Sequence, residues 1–168
     1  PAGASRLAQT LGVTNHLPPS SMPKPLDTAS AFVFDAREFI DAVELLHGRS
    51  ANDSLPCYFM MGRSIELALK AFLILRGMKT WTLSSRDYGH DLVALLAQAE
   101  RRGLYPRLRI GALESKVVEI LNREYVCTRL SYRSSGQWHR LPVFERTHHF
   151  CETLVGSMET HLADRSAA

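Results

Sequence analysis

Two Glu-x-x-His pairs, Glu44/His47 and Glu145/His148, are the residues whose types and spacing come nearest to a recognisable chemistry. On facing helices, such carboxylates and imidazoles can hold a two-metal centre in a bundle core. At about 100° per residue, His47 falls on the apolar stripe of its own helix. Glu145 falls well away from the stripe of Phe144, Cys151, Leu154 and Met158, and faces water. Ligands of one ion must converge, so no metal site is expected. His47 then reads as a hydrogen-bonded interior or helix-end histidine, and His148 and His149 as surface residues. Cysteine chemistry fares no better. Cys57 and Cys151 occupy apolar positions, Cys127 has no evident base, and the three form no close pair, which speaks against a nucleophile, a disulfide or a zinc framework. The sequence also has no glycine-rich phosphate loop, Gly-x-Ser-x-Gly elbow or Cys-x-x-Cys, and no cofactor is expected.

The remaining chemical feature is charge. Lys and Arg number 20 against 17 acids, and 16 of the 20 are arginine, whose planar fork suits bidentate contact with phosphate or carboxylate. The overall +3 is unevenly spread. Residues 101–140 hold 9 basic and 3 acidic groups, a local +6, whereas residues 26–100 hold 7 and 10. A polyanionic partner would meet the basic stretch first.

The elements that must position these groups follow from apolar spacing. With 168 residues, 45% of them hydrophobic, the chain suits one core and one domain. Its apolar runs, such as residues 57–61 and 71–75, are far short of the ~18 needed to span a membrane. Five of the eight prolines lie in the first 25 residues, so residues 1–26 are expected to be a flexible Pro-rich arm. That arm has no apolar core of the signal-peptide kind. A cytoplasmic setting is expected.

Phe32, Val33, Ala36, Phe39, Ile40, Val43 and Leu46 predict a first helix, capped by Asp27, Thr28 or Ser30 and stopped at Gly48. A second opens at Asn52-Asp53-Ser54 and Pro56 and runs to Gly77, with Glu66 and Lys70 as an i,i+4 pair on its wet side. Residues 77–89 read as turns. His90 and Asp91 introduce a short helix with Leu92, Leu95, Leu96 and Ala99, ending before Gly103. The next starts at Leu108 or Ile110 and reaches Tyr125, with Leu113, Val117, Ile120 and Leu121 inward. Residues 126–141 form a long arginine-bearing connection. Pro142 begins the last helix, whose inner face is Phe144, Thr147, Cys151, Leu154, Val155, Met158 and Leu162. The expected architecture is all-α: an up-and-down bundle of four long helices and one shorter one, a single domain over residues 27–162, and a frayed tail over 163–168.

The string Ser64-Ile65-Glu66-Leu67-Ala68-Leu69-Lys70-Ala71-Phe72-Leu73-Ile74-Leu75-Arg76-Gly77, followed by Tyr88-Gly89-His90-Asp91-Leu92-Val93-Ala94-Leu95-Leu96, resembles the central helices of the HEPN family. A looser match continues through Leu121-Asn122-Arg123-Glu124-Tyr125 and Thr128-Arg129. The resemblance implies a HEPN-like helical bundle, commonly a homodimer, of the kind found in toxin-antitoxin and antiphage systems, often with a nucleotidyltransferase or an antitoxin as partner. Catalytic members resemble metal-independent ribonucleases with an arginine, a short gap and a histidine near the last helix. Arg133-Ser-Ser-Gly-Gln-Trp-His139 has that form, so the resemblance makes Arg133 and His139 the candidate catalytic pair. Arg129 is the other arginine able to hold the family position, and it would leave His139 too distant. Arg129, Tyr132, Trp138 and Arg140 are the candidate nucleic-acid contacts, by stacking on or clamping bases.

Two functions follow. One is a dimeric module that contacts RNA or a nucleotide, with cleavage by Arg133 and His139. The other is a non-catalytic interaction module, whose partner surface is built on Phe34 and Leu45, opposite the core stripe of the first helix. For His90 and Asp91, capping of the helix that follows competes with catalysis by His90.

Overall fold

The computed structural model describes residues 24–47, 54–85, 87–104, 112–127, 130 and 140–167. Among the described residues there are six helices and no strand: α1 (Pro25–His47), α2 (Leu55–Leu75), α3 (Thr80–Leu83), α4 (Leu92–Arg101), α5 (Ala112–Tyr125) and α6 (Phe144–Ser166). None of them is long and apolar enough to cross a membrane.

Local chemistry accounts for the ends of α2. Ser54 is extended and its side chain accepts the Cys57 amide, while Pro56 sits in the first turn, where its missing N–H is no loss. At the other end Gly77 takes a φ of +84°, which an L side chain resists. Its amide bonds Ile74 O at 2.9 Å and the Met78 amide bonds Leu73 O at 2.9 Å, closing a Schellman motif. Gly103 ends α4 the same way, with φ +85°.

Helix α2 is the axis of the fold, packed against α1, α4, α5 and α6. Every residue from position 64 to 74 is buried, as a helix enclosed on all sides requires. The expected wet side for Glu66 and Lys70 is therefore wrong: both are buried, Glu66 to 1% exposure. Their i,i+4 spacing is real, but neighbouring helices cover the face that carries them.

Around this axis α1 buries Ala29, Val33, Ala36, Ile40 and Val43, and α6 buries its whole expected stripe together with Phe150. Two expected core residues lie outside: Leu46, near the end of α1, and Leu113, in the first turn of α5. Val118 and Tyr125 join Val117 and Leu121 instead. Helix α1 starts at Pro25, so Asp27, Thr28 and Ser30 lie within it, and α6 starts at Phe144. It continues to Ser166, beyond the expected start of the tail. The one-turn α3 is too short to show a period, yet places Leu83 in the core. Gly48 and the expected start, at Leu108 or Ile110, of the helix that reaches Tyr125 lie outside the described residues.

A close approach fixes α5 on α2. A Cβ added at Gly62 would meet the Tyr125 ring at 2.6 Å. Helical Gly→Ala ordinarily gains about 1 kcal/mol, whereas overpacking costs about 1–3 kcal/mol. Tyr125 cannot swing away, because its hydroxyl is held by Glu66. Gly62→Ala is expected to lower the urea midpoint, with a net loss of up to about 2 kcal/mol; a raised midpoint would contradict this packing.

Candidate functional site

Glu66 lies in the middle of α2, and its carboxylate collects four side-chain partners. Oε1 accepts from Lys70 Nζ at 2.7 Å and Arg63 Nη1 at 2.9 Å, while Oε2 accepts from Tyr125 Oη at 2.6 Å and meets His90 Nδ1 at 2.9 Å. Removing a carboxylate from water costs several kcal/mol. Hydrogen bonds to a charged group contribute roughly 1.5–3 kcal/mol each, so four of them favour the ionised form. Burial pushes the Glu66 pKa up, but bonds from Lys70, Tyr125 and His90 outweigh it and hold the carboxyl below its ordinary value. Burial and the adjacent carboxylate together push the Tyr125 phenol upward, so it stays a donor.

The same node orients His90. An ionised carboxylate at Nδ1 requires a proton there, on a side chain 68% exposed. One residue on, Asp91 caps α4 by accepting the Ala94 amide at 2.9 Å. It also accepts Asn122 Nδ2 at 3.0 Å, while Asn122 Oδ1 accepts the Leu92 amide at 2.8 Å. Asp91 is thus the cap, and His90 is a tether between the start of α4 and the centre of α2.

The strings that carried the resemblance therefore meet in space: Glu66 and Lys70, His90 and Asp91, Asn122 and Tyr125. Arg63 and Tyr125 were not anticipated as partners of Glu66. Arg63 stands one turn before Glu66, and Tyr125 ends the loosely matching string, but only packing brings its hydroxyl to α2.

Of the candidate catalytic and nucleic-acid-contacting residues, Arg133, His139, Arg129, Tyr132 and Trp138 lie outside the described residues. Arg140 is described, exposed just before α6. The segment between α5 and α6 is tied to α2 at both described ends: Tyr125 by Glu66, and Pro142 by its carbonyl, which accepts Tyr58 Oη at 2.8 Å. Tyr58 and Glu66 are eight residues apart on α2, about 12 Å along its axis.

Glu145 is exposed, as the helical wheel indicated. His148 is half-buried rather than a plain surface residue, because α6 turns it toward α1. His47 stacks on Phe144 at 4.0 Å, and its buried Nδ1 lacks a hydrogen-bond partner among the described residues, which departs from the expected hydrogen-bonded interior histidine. Cys57 and Cys151 are buried, and burial pushes the Cys151 thiol up and out of nucleophilic range.

No protein-family model, curated protein or solved structure matches the chain.

With its folded pKa below the unfolded carboxylate value of about 4.3, Glu66 contributes stability that is fully present above that value and is lost as pH falls through the folded pKa. Glu66→Gln is expected to destabilise the protein at pH 7 by on the order of 3 kcal/mol, since Lys70 loses its buried counter-charge. It should also flatten the acid limb of stability, measured by urea unfolding from pH 6 downward. Parallel wild-type and variant curves over that limb would contradict the ionised node.

Proposed function

We propose that the chain is a HEPN-like helical module that forms a homodimer and binds RNA through its arginine-rich 101–140 segment, cleaving it without a metal. What supports this is the anchoring of the connector. Its described ends are held to α2 by Tyr125–Glu66 and by Tyr58–Pro142, and Glu66 belongs to the family-like string. The connector, residues 126–141, carries three arginines and no acidic residue, and its two described anchors stand about two helical turns apart on α2.

The chemistry assigned to the connector is acid-base. Neutral His139 takes the proton of a ribose 2′-hydroxyl or donates one to the leaving oxygen, and Arg133 stabilises charge on the phosphorane-like state. A histidine with an ordinary pKa near ~6.5 serves either role at neutral pH. Two connectors meeting across a dimer would form one basic cleft, with Arg129, Tyr132, Trp138 and Arg140 contacting bases and phosphates.

A second function has its own observation: Phe34 and Leu45 are 65% and 74% exposed on α1. Eleven residues apart, they share one face of the helix, as a protein-binding surface would need.

Purified protein incubated with total RNA in chelator, beside His139→Ala and Arg133→Ala, separates the two functions. Cleavage should fall by on the order of 10²-fold or more in either variant. RNA affinity should decline linearly on a log–log plot against salt, and light scattering should report a dimer. Equal or absent degradation across the three proteins removes the nuclease and leaves the interaction module; a salt-independent affinity removes the phosphate contact.

A further inference from the structure

On the other side of the fold, α1 and α6 bring together three potential ligands drawn from both helices. Among the described residues, Glu44, His148 and Glu152 offer one ligand atom each, all within 4.8 Å of one another. His148 and Glu152 are one turn apart on α6, and Glu44 comes from α1. This grouping takes one member from each Glu-x-x-His pair and adds a carboxylate that neither pair contains.

We propose that Glu44, His148 and Glu152 bind a divalent first-row transition ion. His148 Nε2 lies 3.7 Å from Glu44 Oε1, too far for a hydrogen bond. It is close to the roughly 3–3.5 Å that separates neighbouring ligands when metal–ligand bonds are about 2.0–2.2 Å. This nitrogen is buried and has no hydrogen-bond partner among the described residues, which leaves it available to a ligand. The Glu44 side chain is 59% exposed and free to close the small remaining gap.

The surroundings match a cation. Arg37 donates to Glu152 Oε2 at 2.7 Å and holds Glu159 through two bonds of 3.0 Å, so it orients Glu152 while its other oxygen stays available. Glu44, Glu152 and Glu159 against the single Arg37 leave a local excess of two negative charges. Glu44, His47, Phe144, Glu145 and His148 also line a cavity of about 360 Å³. That cavity leaves room for water to complete the coordination, and His47 Nδ1, buried and without a partner among the described residues, can hydrogen-bond such a water. One imidazole and two carboxylates suit Zn²⁺, Mn²⁺ or Co²⁺ better than Ca²⁺, which takes oxygen ligands alone.

The full chain, stripped by chelator and dialysed, is titrated calorimetrically with ZnCl₂, and with CoCl₂ under visible absorption. One ion per chain is expected, with a Co²⁺ d–d spectrum and a raised Tm. His148→Gln should weaken binding by at least tenfold, and Glu152→Gln or Glu44→Gln by about tenfold. Cys127→Ser should leave it unchanged, because that thiol is exposed and remote in sequence from the site. Absence of saturable binding overturns the proposal, as does binding that survives His148→Gln with circular dichroism intact. Should His148→Gln fail to fold, Glu44→Gln at its exposed position decides: unchanged affinity overturns the site. The assignment does not rest on RNA cleavage, which is assayed in chelator.

Discussion

A charge inside the core constrains this fold more than any single apolar contact. Glu66 stands on the most enclosed helix and is tolerable only while Lys70, Arg63, His90 and Tyr125 surround it. Two donors come from α2 itself, one from the approach to α4 and one from the end of α5. The carboxylate thus specifies where α4 and α5 sit against α2, since any slippage would leave a buried charge unpaired. Apolar packing tolerates shifts of that size more readily. Gly62 belongs to the same constraint, because its missing side chain lets the Tyr125 ring lie against α2 and reach the acid one turn further on.

A second polar junction serves α1 and α6. Arg37 spans Glu152 and Glu159, two turns apart along α6, and aligns the two long helices that close the other side of the core. Burial of the first junction and partial exposure of the second give them different chemistry. Inside, the charges are saturated and hold geometry. At the α1–α6 edge, His148 Nε2 has no hydrogen-bond partner among the described residues and lies 3.7 Å from the exposed Glu44 carboxylate, an arrangement a cation can use.

The proposed RNA contact draws on the first junction only indirectly. Tyr125 carries the anchor into the start of the arginine-bearing connector, and Pro142 carries it out again through Tyr58. A basic segment held at both ends presents its charge from a fixed origin, which lowers the ordering needed when a polyanion binds.

Much of the helical content was legible in residue spacing. Ser54, Pro56 and Gly77 marked α2, Asp91 and Gly103 marked α4, and the period from Phe144 to Leu162 marked α6, because caps, stops and apolar stripes act over a few residues. Local rules also produced the errors. Glu66 and Lys70 looked like a solvated pair since i,i+4 spacing says nothing about a helix lying over it, and Leu113 looked buried since a stripe does not show where its first turn leaves the core. The Glu-x-x-His pairs were read within single helices, so the joining of Glu44 to His148 and Glu152 was invisible. By itself the sequence determined the kind of secondary structure, several of its boundaries and the uneven charge, all properties of neighbouring residues. Tertiary structure alone decided that Glu66 is the enclosed centre of four donors and that Glu44, His148 and Glu152 converge from two helices, because burial and convergence depend on residues distant in the chain.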